Sequence, residues 1–412
     1  MSERLFQIVE DLVRIPSENT PPIGAEAECQ AYIAEFLARL GHESDVYRPT
    51  DVSGIEDHEL YWPGRDYSAR PNVAARVRGA GGGRSLILSG HIDTVPVGGA
   101  PWAHPPHGAV REGDRMYGRG TWDMKTGVAA SLWVLERLKR EGVVLRGDLI
   151  FESVVDEEFG GVNGTLAGRL RGYVADGAII GEPSKLRVLP AQRGGRIFHV
   201  TFRSAGDIFG NDHGPLATEQ LTRFLCRFPE FQAMRLARAP RHPYYPQANP
   251  VPVFVTNIQT SAWGPSEPIA IPSSCRLELY YETMPGEPQQ EIESQFREWL
   301  GEVTSDKHLF PAEPLVERPI RFLPGSFTPP DDPFVRAFAE TAAGVLGADP
   351  PVEGLEAPCD MYVFHRFGMP ALLWGPRGGN AHLPDEYVEL GSADLAARTL
   401  YEFVLRWCLL AD

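Results

Sequence analysis

The chain has 412 residues, 43% of them hydrophobic and 23% charged, with a formal net charge of −16. This is the composition of a folded protein large enough for two cored domains, and its acidic balance argues against nucleic acid as a partner. No apolar run reaches the roughly 18 residues of a membrane span, so no membrane association is expected. The five cysteines (Cys29, Cys226, Cys275, Cys359, Cys408) form no CxxC pair, which predicts reduced thiols in a cytoplasmic protein.

Leu5, Ile8, Val9, Leu12 and Val13 recur at helical spacing and predict a helix over 3–14, without the pattern of a signal peptide. A second helix carries Tyr32, Ile33, Phe36, Leu37 and Leu40 inward and stops at Gly41. Residues 51–71, rich in Tyr, Trp, Pro and Asp, read as a surface insertion near a site mouth. Strands are expected at 72–77 and 85–89, joined as a hairpin by the glycine run 79–83; no Lys-Ser or Lys-Thr follows to make that run a phosphate cradle. Val128, Leu132, Leu135 and Leu138 mark a buried helix over 126–142. Apolar runs at 149–155 and 178–180 continue an alternation of strand and helix. That order predicts an α/β fold with a mainly parallel sheet and helices on both faces. Ligand sites in such sheets collect at the C-terminal ends of strands.

After Arg187 the texture changes. A half-buried strand at 196–203 (Phe198, Val200, Phe202) is followed by a helix with Leu216, Leu221, Phe224 and Leu225, strands at 253–258 and 276–281, and a helix over 289–300. The order suits a small α/β domain of residues 190–312 inserted between 1–189 and 313–412. The last segment adds a helix over 333–346, a strand over 371–374 and a final helix from Ser392.

Several acidic motifs fall at strand ends or in Gly-rich turns. His91 and Asp93, in Ser89-Gly90-His91-Ile92-Asp93, share one face if the strand continues. One imidazole nitrogen can then bind a metal while a carboxylate holds the ring. Asp123 lies in Gly118-Arg119-Gly120-Thr121-Trp122-Asp123, Glu157 and Glu158 precede Gly160-Gly161, Glu182 sits in Gly181-Glu182-Pro183, and His382 precedes Pro384-Asp385-Glu386. Two histidines and several carboxylates suit Zn²⁺, Mn²⁺ or Co²⁺. A shared Asp could bridge two ions, and one further carboxylate must stay off the metal to take a proton from water. The plainer readings are a helix cap for Asp123, a turn residue for Glu182, surface charges for Glu157 and Glu158, and a loop histidine for His382.

These five motifs, in this order and spacing, resemble the metallopeptidase family of acetylornithine deacetylase, succinyl-diaminopimelate desuccinylase and glutamate carboxypeptidase. The resemblance implies a phosphorylase/hydrolase-like catalytic domain with an inserted ferredoxin-like lid/dimerisation domain. It implies one or two divalent ions (Zn, Mn or Co): His91 and Glu182 on one, Glu158 and His382 on the other, Asp123 bridging. Asp93 would orient His91, Glu157 would be the general base, and the inserted domain would make a homodimer or higher homo-oligomer. Arg193 is a candidate for a substrate carboxylate, with a structural ion pair as its alternative. Arg377 is a weaker candidate of the same kind, and Asp360 resembles a recurring family Asp near the site.

The inserted domain departs from that pattern. Ile208 stands about where relatives carry an oxyanion-stabilising His, and His213 comes several positions late. Ile269-Ala270-Ile271-Pro272 lacks the usual Asn, and Tyr281-Glu282-Thr283 replaces an Arg-containing strand end. The expected function is hydrolysis of a C–N bond in a small-molecule substrate, the amide of an N-acyl amino acid or related small carboxylate. The alternative is an aminohydrolase releasing ammonia from a nitroanthranilate-type aromatic amine, motivated by those losses and by Phe198, Phe202, Phe209, Tyr244 and Tyr245. A metal-binding pseudoenzyme is the third reading; retention of Glu157 stands against it.

Overall fold

The computed structural model describes residues 2–205, 214–246, 251–260 and 271–409. The chain divides into two compact units, one of Met1–Ala191, Phe327–Leu355 and Cys359–Asp412, the other of Gln192–Ser326 and Glu356–Pro358.

The first unit is built on a sheet whose order runs Val188–Gln192, Ala371–Leu373, Ala178–Ile180, Leu86–His91, Leu149–Val154, Asn72–Val77, Ser44–Tyr47. The four strands from Ala371–Leu373 to Leu149–Val154 are mutually parallel, and the flanking strands are antiparallel. Alternation along the strands feeds two cores. Leu86, Leu88, Leu149, Phe151 and Ile179 face the helices Glu3–Arg14, Thr126–Glu141, Pro333–Leu346 and Leu390–Leu409. Ile87, Ile150, Ala178 and Ile180 face the other way, onto Met361 and Phe364 of the helix Met361–Arg366. The helix ends follow local chemistry. Ser2 Oγ accepts the Leu5 N–H at 3.4 Å, Asp332 caps a helix with Pro333 at its first position, and Gly142 and Gly347 close helices at φ 65° and 73°.

Two expectations fail here. The strands Asn72–Val77 and Leu86–His91 are no hairpin, because Leu149–Val154 lies between them, antiparallel to the first and parallel to the second. The intervening glycines serve close packing instead: a Cβ on Gly79 would meet Arg146 O at 2.3 Å, and one on Gly83 would meet Cys408 O at 2.4 Å. Nor is 51–71 a surface insertion. Val52, Ile55 and Leu60 join Tyr47, Ala74, Leu166 and Tyr362 in a small core, and Tyr67 and Arg70 are buried.

The second unit is a four-stranded antiparallel sheet in the order Val253–Gln259, Ser274–Thr283, Gly194–Arg203, Leu315–Glu317. The helices Ala217–Arg238 and Gln289–Val303 pack on it through Phe198, Val200, Phe202, Phe224, Phe231, Leu277, Leu279, Phe296 and Trp299. Leu315–Glu317, assigned from sequence to the following segment, pairs with His199, Val200 and Thr201 in this sheet. Phe198 and Phe202, two of the aromatics that motivate the aminohydrolase alternative, are fully buried in this core; Phe198 stacks on Phe296 at 4.4 Å. Phe209, Ile208, His213 and Ile269 lie outside the described residues. Among the described residues no helix is long and apolar enough to cross a membrane. None of the five cysteines is in a disulfide, and only Cys226 is exposed.

Candidate metal centre

Sheet register assembles the site in the first unit. His91 pairs with Val154 and Ser89 with Ile180, so three neighbouring parallel strands end level with one another. His91 closes one strand, the Glu157-Glu158 turn follows the second, and Glu182 follows the third. Asp123 comes from the turn before the helix Thr126–Glu141, and His382 from the loop after Ala371–Leu373.

Two triads result, His91–Asp123–Glu182 and Asp123–Glu158–His382, each with its ligand atoms within 4.8 Å of one another. His91 Nε2 lies 3.3 Å from Asp123 Oδ1 and 3.5 Å from Glu182 Oε1. His382 Nε2 lies 3.3 Å from Asp123 Oδ2 and 2.9 Å from Glu158 Oε2. Each oxygen of Asp123 thus faces a different imidazole, the arrangement a bridging carboxylate requires. Asp123 does not cap the helix, whose cap position is Lys125. Glu157 belongs to neither triad.

Four carboxylates (Asp123, Glu157, Glu158, Glu182) face two imidazoles here, and their ionisation reflects the imbalance. Burial pushes Glu157 and Glu182 well above the usual carboxylate range despite His91, and Glu158 up to about 7. Hydrogen bonds to Asp123 and Glu158 push His382 up to about 11. Burial works against a charge on His91, yet Glu182 and Asp123 hold it well above its ordinary value. Protons alone must neutralise this pocket unless divalent cations do so, and two nitrogen–oxygen donor sets sharing one carboxylate fit such ions.

Asp93 does more than face the imidazole. His91 Nδ1 donates to the Asp93 main-chain carbonyl at 2.9 Å, while carboxylate oxygen Oδ1 lies 3.6 Å away. The carboxylate accepts the Glu157 N–H at 3.0 Å, the Glu158 N–H at 3.1 Å and Asn19 Nδ2 at 2.8 Å, which anchors the Glu157-Glu158 turn. Asp156 opens that turn with φ 66°, a conformation Asp tolerates better than most residues. Its carboxylate is fixed by Tyr67 Oη at 2.5 Å and Asn19 Nδ2 at 3.2 Å, beside Arg70 and Arg65. Asn19, Tyr67 and Asp156 were absent from the sequence-derived site; the Pro-rich loop around Asn19 gave no sign of its partners.

The candidate substrate residues fare differently. Arg193 is buried in an ion pair with Glu282 and stacks over Tyr245 at 5.1 Å, its structural alternative. Arg377 has an exposed side chain and a backbone N–H bonded to Ser392 Oγ. Asp360 is buried, accepts from the Thr165 hydroxyl through one oxygen, and adds to the negative field on Glu157 and Glu182.

The same architecture recurs in known proteins. The chain is 28% identical to N-formyl-4-amino-5-aminomethyl-2-methylpyrimidine deformylase of Halalkalibacterium halodurans, over 98% of this chain and 95% of the relative. It is 29% identical to succinyl-diaminopimelate desuccinylase of Alkalilimnicola ehrlichii, over 92% and 94%. A solved structure of Bacillus subtilis YXEP, described as a dinuclear metal-binding peptidase of the M20 family, superposes with a TM-score of 0.63 at 17% identity, over 99% of this chain and 98% of that one. The pattern of peptidase family M20/M25/M40 matches residues 87–406, the stretch that holds both triads and Glu157, and the chain belongs to that family of amide-hydrolysing enzymes.

Proposed function

We propose that this protein hydrolyses the amide of a small N-acyl amine, releasing a short carboxylic acid and an amine. His91, Asp123 and Glu182 would hold one divalent ion and Asp123, Glu158 and His382 a second. Such ions, when bound, polarise the acyl carbonyl and lower the pKa of the attacking water. Glu157 takes a proton from that water and returns it to the departing nitrogen as the C–N bond breaks. The observation that carries this reading is the placement of Glu157: beside a metal-ligand candidate, outside both triads, with its backbone anchored by Asp93.

Two observations narrow the substrate. The relatives matched over nearly the full chain act, by their names, on a formylated aminomethylpyrimidine and a succinylated diamino acid. Asp360 Oδ1 is buried without a hydrogen-bond partner among the described residues, which favours a leaving group that donates N–H bonds, such as an aminopyrimidine. An exposed edge strand in the second unit, with Phe254 and Ile258 each 47% exposed, supports a homodimer through that unit. Light scattering of the purified chain checks the dimer.

The reaction is tested by mass-spectrometric product identification with Mn²⁺, Zn²⁺ or Co²⁺ present. Wild type is run beside Glu157→Gln on N-formyl aminomethylpyrimidine, N-succinyl and N-acetyl amino acids, dipeptides and aminobenzoates. The expected products are an acid and an amine, with kcat lower in Glu157→Gln by about 10²–10⁴-fold and metal content unchanged. Equal turnover by the variant, or ammonia as the product, would overturn the assignment.

A further inference from the structure

We infer that Glu386 is a positioning residue for the metal centre, registering the bridging carboxylate of Asp123 against His382. The inference rests on the reading that the two triads hold divalent ions. Glu386 is 1% exposed and its carboxylate gathers four donors. Oε1 accepts the Trp122 N–H at 2.9 Å and the Asp123 N–H at 3.0 Å; Oε2 accepts the Gly120 N–H at 3.0 Å and Arg119 Nη1 at 2.7 Å. Its main-chain carbonyl accepts the Gly118 N–H at 2.9 Å. One residue therefore holds both ends of the turn that presents Asp123.

The same residue ends the loop that presents His382. That side chain is 51% exposed, so packing alone does not fix it. Its backbone is set by a tight loop in which Asn380, His382 and Asp385 all have positive φ and Asn380 Nδ2 donates to Asp385 O at 3.1 Å. The Asp385 carboxylate accepts the Ala103 and His104 N–H groups, at 3.0 and 2.9 Å, so the far end of the loop is anchored on both sides of that peptide. With Glu386 in place, the loop carrying His382 and the turn carrying Asp123 move as one body.

Only a carboxylate satisfies this geometry. Four donors need an acceptor with about four lone-pair sites, whereas an amide turns an NH₂ group toward two of them. Because Asp123 is the ligand common to both triads, its release loosens both sites together, which loss of His91 or His382 alone would not do. Groups that hold metal ligands in place are typically worth 10–100-fold in metal affinity.

The test titrates the chelator-treated full chain with Co²⁺ and Mn²⁺ by calorimetry and by the Co²⁺ absorption spectrum. Wild type should take up two ions. Glu386→Gln should bind both at least about 10-fold more weakly. Phe403→Leu, a core substitution in the final helix, should lower the melting temperature while leaving both affinities unchanged. Should Glu386→Gln fail to fold, Arg119→Gln removes one donor of the four and should weaken both sites by a smaller factor. Wild-type affinity in the folded Glu386→Gln variant, or weakening confined to one site, would overturn the inference. No ion uptake by wild type would instead overturn the two-ion reading beneath it.

Discussion

Asp93→Asn separates anchoring of the Glu157-Glu158 turn from simple orientation of His91. The carboxylate accepts three N–H donors, from Asn19, Glu157 and Glu158, at 2.8–3.1 Å. An asparagine can keep its oxygen at the Oδ2 position, but its NH₂ then faces the Glu157 N–H and His91 Nδ1. Bonds to a charged acceptor contribute about 1.5–3 kcal/mol and neutral ones about 0.5–1.5, so three weakened bonds should cost about 3 kcal/mol. Asp93→Ala would strand three donors, one buried and two half-buried, and is too severe to interpret within a total stability of about 5–15 kcal/mol. Denaturant unfolding of the metal-free chain measures the loss. A parallel assay on a hydrolysed amide should show kcat/KM lower by about 10²-fold, because a base displaced by about 1 Å loses that much. Unfolding within about 0.5 kcal/mol of wild type, together with wild-type turnover, would refute the anchoring role.

Gly127→Ala should cost about 1–3 kcal/mol and weaken metal binding, since a Cβ there would meet Gly181 O at 2.0 Å, one residue before Glu182; unchanged melting and metal titration would contradict this. His365 should make stability pH-dependent. The Thr328 hydroxyl donates to Ala371 O at 2.7 Å, so His365 Nε2–H donates to Thr328 at 2.9 Å, and Nδ1 is buried without a partner among the described residues. Burial lowers this histidine from 6.5 to about 4. The unfolded chain therefore takes up the proton first: the contribution is full above pH 6.5 and is lost as pH falls toward 4, up to about 3 kcal/mol. Melting curves of wild type and His365→Gln should converge across that window, and a constant difference would show that the ring does not titrate there.

His91, Glu158 and Glu182 were legible because each ends or follows an apolar run beside Gly or Pro, whereas Asp123 and His382 sit in Gly-rich turns and were picked out by the order and spacing of the motifs that resemble the family. Their supports were not. Asn19 meets Asp93 across 74 positions, Arg119 meets Glu386 across 267, and the Glu282 partner of Arg193 lies 89 residues on. Nothing in the neighbouring residues announces such contacts. The glycine run 79–83 misled for a related reason: turn formation and close backbone packing call for the same residue, and only the strand order distinguishes them. Leu315–Glu317 is too short for periodicity to show which sheet it completes.

The strand order also sets a timetable for synthesis. Ala371–Leu373 fits between Ala178–Ile180 and Val188–Gln192, yet leaves the ribosome some 180 residues after the second of them. At about 5–20 residues per second, that slot stands open for roughly 10–40 s, with the apolar edge of Ala178–Ile180 unpaired. The second unit has no such wait, because all four of its strands lie between Gly194 and Glu317. The later-starting unit can therefore complete its sheet first, and the half-built sheet of the unit that carries both triads is the surface a chaperone must shield.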